Sequence, residues 1–189
     1  ALYPLEPLDY TLEEEQSGHV ILDSDALIHF LALCPYGVEK YSYYFNHFPV
    51  LSLNLGIMET TEKVVELILL IRSENEINLK LLVNEVETLA SLFGLSVTPS
   101  DEYYGWSYDP DSQLRKSYKE AYKKAYDKEL KEVPTHGGLE TGYMSRIFPD
   151  MDIVTMGPNC IDIHTPQERL EIKTLYEVHD FLKNWLGES

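Results

Sequence analysis

The sequence predicts an α+β chain in two parts: a small sheet with helices on one face over residues 1–100, then an α/β segment over residues 101–189. Three observations carry this. Runs rich in β-branched and aromatic residues crowd the first half around two helix-like stretches. The second half alternates helical periodicity with short apolar runs. Between them "DEYYGWSYDPDS" is polar, aromatic and full of turn residues, which places the boundary near residues 99–108.

In chain order, residues 8–15 and 19–22 read as short strands. Asp23 or Ser24 is suited to cap a helix through about residue 33, which must stop before Pro35. "YSYYFNHF", "VLSLNLGIME" and "EKVVELILLIRS" read as consecutive strands, the last two as a hairpin turning near Thr60 and Thr61. Ser73 and Glu76 have capping-box spacing. The helix after them places Leu82, Val86, Leu89 and Phe93 on one face, with Gly94 as its C-terminal stop. "LSVTPS" reads as a further strand.

In the second half, Asp109 before Pro110 reads as an N-cap with proline at the first helical position. That helix presents Leu114, Tyr118, Ala121, Tyr122 and Ala125 on one face. A strand ending at Val133 or Thr135, a helix from about Gly138, and strands in "MDIVTMGP" and "CIDIHTPQERLEI" follow. The last helix carries Thr174 and Glu177 as its cap. Its apolar face is Leu175, Val178, Phe181, Leu182 and Trp185.

A net charge of -17 sets up a field that repels a phosphate backbone, which argues against nucleic acid as a general partner. Seven of the 15 basic residues lie between Arg115 and Lys131, but Glu120, Asp127 and Glu129 among them make a solvated helix face the simpler reading. No apolar run approaches the roughly 20 residues a bilayer requires, so no membrane partner is expected. The first ten residues have neither the basic flank nor the apolar centre of a signal peptide. Cys34 and Cys160 form no CxxC pair, so neither a disulfide framework nor a thiolate metal site is expected, and a reducing cytoplasm fits.

Three stretches carry chemistry. In "THGGLETG", His136 would sit at a strand's carboxyl end, where open α/β sheets place ligands. Gly137 and Gly138 let backbone approach a ligand, and Glu140 at a helix start could accept an ammonium group. Spacing alone favours a plain turn with an exposed His and Glu. His164 also follows a strand, with Asp162 and Glu168 near enough to orient it. Zinc needs three or four ligands, however, and the sequence has no HExxH, HxH or cysteine pair. Arg72 ends an apolar strand, where a guanidinium can clamp a carboxylate through two N–H groups. A pairing with Glu74 or Glu76 at the sheet edge is the simpler alternative. Asn54, on the neighbouring strand, is placed to assist.

In order, "SLNLG", "IRS", "YYGWSYDPDSQL", "HGGLETG", "FPDMDIVTMGP" and "IHTPQERLEI" resemble segments of the carboxyl-terminal part of aminoacyl-histidine dipeptidases. These are carnosinase-like members of peptidase family 20, dinuclear zinc metallopeptidases. The resemblance spans roughly residues 25–187. It implies that residues 1–100 are the later part of a lid that also serves dimerisation, and that residues 101–189 complete a zinc-peptidase catalytic domain. By motif, His164 matches a zinc ligand, and His136 and Glu140 match a loop lining the substrate pocket. Arg72 matches the lid arginine that binds the substrate carboxylate, and Asn54 falls in the "SLNLG" segment.

The departures bear on activity. The resemblance calls for an HxD pair, a Glu-Glu pair and a further Asp. These would supply the other zinc ligands and the general base; no HxD pair is present, and glutamates adjoin only in the run Glu13–Glu15, with no HxD pair before it. The lid histidine of a "GGHSG" motif is also missing. Gly137, Thr141 and the Asp162–Ile163 pair replace residues common in the family. The expectation is therefore a fragment of a dipeptidase for Xaa-His type substrates, holding no catalytic group and an incomplete site for two zinc ions (or cobalt or manganese). It would be inactive without the missing amino-terminal half. The implied partners are a dipeptide, that half, and a second copy paired through the lid. A non-catalytic interaction module descended from such a peptidase, and a two-chain enzyme, are the alternatives.

Overall fold

A computed structural model of the chain describes residues 21–100 and 104–187. The α+β class holds: five helices and five strands lie among these residues, and both sheets are antiparallel. The first half contains α1 (Ser24–Leu33), β1 (Gly37–Tyr41), β2 (Pro49–Thr60), β3 (Val65–Ser73) and α2 (Glu76–Leu92). The second contains α3 (Gln113–Tyr126), α4 (Glu140–Ile147), β4 (Cys160–Ile161), β5 (Arg169–Leu170) and α5 (Ile172–Gly187).

Strands β1, β2 and β3 pair in that order. Alternation along β2 gives the sheet two unlike faces, because successive side chains point to opposite sides. Leu51 and Leu53 are buried with Phe30 of α1 and with Leu82, Val86 and Ala90 of α2, and Leu67, Leu69 and Ile71 of β3 pack on this cluster. Both helices therefore cover one face. The other face carries Ser52 and Asn54, with Arg72 directly opposite Ser52 and Leu70 opposite Asn54. The register slips between Leu55 and Ile57, where Gly56 is the extra residue of a bulge.

Several boundaries differ from the sequence expectation. Residues 8–15, 19 and 20 lie outside the described residues, while Ile21 and Leu22 lead into α1 without strand structure. "YSYYFNHF" contributes only Tyr41 to a strand; the rest is a loop whose Ser42 hydroxyl accepts the N–H groups of Tyr44 and Phe45. The N-cap of α2 is Asn75, whose side chain accepts the Asn78 N–H, rather than Ser73. The Ser73 hydroxyl is committed to Asn75's own backbone instead. Gly94, at φ +71°, ends α2 in the left-handed region as expected.

Likewise Ser112, not Asp109, caps α3 by accepting the Arg115 N–H at 3.0 Å. Asp152 doubles that cap, accepting the Ser112 hydroxyl at 2.6 Å and the Leu114 N–H at 2.8 Å. Thr174 lies inside α5, where its hydroxyl ties the helix to Asn159 and Glu171. "LSVTPS", the run before His136 and "MDIVTMGP" form no strand. β-propensity expresses fit to a pleated surface, and among the described residues these runs bond no neighbouring strand. "CIDIHTPQERLEI" supplies only the two-residue strands β4 and β5.

Within the second half, a ring cluster of Tyr118, Tyr122, Phe181 and Trp185 seats α3 on α5. The two halves are joined at Tyr104 and Gly105. The backbone of Tyr104 and Gly105 lies between the end of β3 and α4. A Cβ on Gly105 would come within 2.3 Å of the Ser73 carbonyl oxygen, and one on Gly142 within 1.9 Å of that of Tyr104. Only glycine permits so close an approach on either side.

Candidate functional site

Burial along the outer face of β2 shows where the second half covers the sheet. Val50 is 5% exposed, Ser52 is half-buried and Asn54 is exposed. The candidate site lies at that edge. The covering piece is the irregular segment over residues 128–139, which is pinned at two points. Upstream, Glu132 accepts Lys119 Nζ at 2.6 Å and the Tyr108 hydroxyl at 3.2 Å, with Arg115 Nε at 3.6 Å. Burial alone would raise the Glu132 carboxyl; the Lys119 hydrogen bond, with help from Tyr108 and Arg115, brings it below its ordinary range. Tyr108 in turn packs against Phe45 and lies under Arg115.

Downstream, His136 docks on the sheet. Its Nε2 lies 2.8 Å from Ser52 Oγ, its carbonyl oxygen accepts Arg72 Nη1 at 3.1 Å, and Phe48 meets its ring edge-on. Burial, then the neighbouring guanidinium, holds the His136 imidazole below its ordinary pKa and so favours the neutral ring. Arg72 spends one N–H on a carbonyl; its guanidinium remains exposed and has further N–H groups to offer. Its partner is neither Glu74 nor Glu76: Glu76 pairs with Lys80 and Arg146. The neighbouring outer-face side chains Leu70 and Ile68 are about half exposed, which gives the polar edge an apolar continuation.

The structure thus joins Arg72 and His136, sets Asn54 on the same face, and adds Ser52, which the sequence reading missed. His136 does not end a strand, so the expected sheet-end placement is replaced by a loop laid across a sheet face. Glu140 is the first residue of α4, exposed, with Leu139 rather than Gly138 preceding it at the N-cap. His164 stands apart, exposed in the β4–β5 turn at φ 66°. Glu168 accepts its backbone N–H at 3.1 Å, and Asp162 pairs with Arg169 at 3.1 Å, so neither orients the imidazole as expected. Among the described residues no hydrogen bond links His164 to the Ser52–Arg72–His136 group.

A catalytic zinc site takes three protein ligands. Among the described residues no group of three His, Cys, Asp or Glu side chains could hold a metal ion. These residues alone therefore do not fit the ions that the family resemblance implies.

The profile of peptidase family M20/M25/M40 matches residues 10–188. The chain is 27% identical over 178 residues to the cytosol non-specific dipeptidase of Escherichia coli K12, covering 94% of this chain and 37% of that protein. It superposes on the crystal structure of aminoacylhistidine dipeptidase from Vibrio alginolyticus with a TM-score of 0.80 at 28% identity, covering 92% of this chain and 36% of that one. The chain thus spans little more than a third of the length of these relatives.

Proposed function

The chain belongs to peptidase family M20/M25/M40, and on that premise we propose that it forms the substrate-binding part of a metal-dependent dipeptidase for Xaa-His type dipeptides. One observation supports this most: Arg72, from the sheet, and His136, from the second half, meet at the outer sheet face beside Ser52. Residues 1–100 act as the later part of the lid and residues 101–189 as the end of the catalytic domain. Cytoplasmic action suits two unpaired cysteines and a relative named for the cytosol.

The division of labour follows from side-chain chemistry. Arg72 takes the dipeptide's carboxylate with its remaining guanidinium N–H groups, a charge-assisted contact that also fixes orientation. His136, neutral and half-buried, offers an uncharged hydrogen-bonding edge to the substrate backbone. Asn54 extends that polar row, and Glu140 faces the ammonium end. Ordering both ends of a small substrate removes much of the entropic barrier to its reaction. His164 is the one metal ligand contributed, and the remaining ligands and the base come from outside these residues.

Incubating the 189 residues with β-alanyl-histidine and added zinc tests the assignment. Binding without appreciable hydrolysis is expected. Turnover at ordinary enzyme rates by this chain alone contradicts the proposed split, and absence of both binding and turnover favours a non-catalytic interaction module.

A further inference from the structure

We propose that Ser52 is a positioning residue: its hydroxyl donates to His136 Nε2 and thereby fixes the ring as the Nδ1–H tautomer, leaving that N–H as the group offered to a ligand. The contact is 2.8 Å between side chains 84 residues apart in sequence, and it joins the two halves of the chain. A hydroxyl can donate or accept, so the direction has to be argued from its surroundings.

Arg72 lies directly across the strand pair from Ser52 and donates to the His136 carbonyl. A guanidinium accepts no hydrogen bond. Among the described residues, His136 Nε2 is the one acceptor hydrogen-bonded to the Ser52 hydroxyl. Were Nε2 to carry the proton, the Ser52 hydroxyl would accept from it and its own hydrogen would have no protein partner. Burial, and then the same guanidinium, disfavours a doubly protonated ring, so one nitrogen is a lone-pair acceptor. Nε2, facing Ser52, is that nitrogen, and the hydrogen bond at one ring nitrogen decides the state of the other.

The consequence deepens the proposed reading of the site and rests on it for the ligand. An Nδ1–H can donate to a carbonyl or carboxylate oxygen beside Arg72, whereas a bare Nδ1 would repel it. Phe48 packs edge-on against the ring and opposes a simple rotation that would exchange the two nitrogens.

Nitrogen-15 NMR of the imidazole groups in the whole chain, between about pH 7 and pH 8 where the ring is neutral, reads the tautomer without substrate. His136→Gln identifies the resonances. Protonated Nδ1 and unprotonated Nε2 are expected in the native chain. Ser52→Ala should move the ring to the Nε2–H form, and Ser52→Thr, which keeps the hydroxyl, should restore the native pattern. A native ring protonated at Nε2 overturns the inference, as does an unchanged pattern in a folded Ser52→Ala chain. If Ser52→Ala fails to fold, the native spectrum and the threonine variant still decide. Failure of dipeptide binding alongside the expected tautomer would count against the substrate assignment alone.

Discussion

A histidine held neutral by its surroundings leaves a mark on stability. Unfolded, His136 titrates near the ordinary value of 6.5; folded, burial and Arg72 lower that value. The unfolded chain thus binds the proton more readily. Stability from this group is complete above the unfolded pKa, declines as pH falls through the window down to the folded pKa, and then levels off. Urea denaturation at about pH 7.5 and about pH 5.5 should show a smaller acid loss in His136→Gln than in the native chain. Equal losses would mean the ring is not desolvated. At this scale the site was partly legible. Arg72, His136 and Asn54 stand out by residue type, and period-two alternation places Ser52 on Asn54's face. The pairing of Ser52 with His136 was not legible, since a contact across 84 residues leaves no local trace. His164 and Glu168 lie close in sequence, yet the carboxylate meets the backbone N–H rather than the ring.

At the scale of elements, hydrophobic periodicity found the helices and the β2–β3 hairpin, because each has a face that must be buried. It overstated the strands. Runs such as "MDIVTMGP" have strand-like composition but no partner strand among the described residues, and a strand exists through its neighbour. The α2 cap moved two residues because Ser73 bonds the Asn75 backbone, and the α3 cap moved three because distant Asp152 supports Ser112. The placement of α4 depends on glycine: Gly142 lets the Tyr104 carbonyl approach where a Cβ would sit at 1.9 Å. Gly142→Ala should therefore cost about 2 kcal/mol through overpacking, against the small gain alanine usually brings inside a helix. A lowered urea midpoint with unchanged slope would agree with this; a raised midpoint would mean that Tyr104 and α4 are not so close.

For the whole molecule, what matters is that neither half makes the site alone. The sheet brings Arg72 and Ser52, the covering segment brings His136, and the Tyr104–Gly105 joint with Tyr108 packed on Phe45 ties the two halves together. The chain covers 37% of the Escherichia coli dipeptidase, and in the proposed reading it grips substrate while other residues supply most of the metal site. Carboxylate recognition at Arg72 is the step on which this reading depends. Calorimetric titration of the chain with β-alanyl-histidine and with its carboxamide isolates that step, because the two ligands differ only in the charged end. The free acid should bind at least about tenfold more tightly, matching a charge-assisted hydrogen bond of roughly 1.5–3 kcal/mol, and Arg72→Ala should abolish the difference. Equal affinity for acid and amide in the native chain would contradict it.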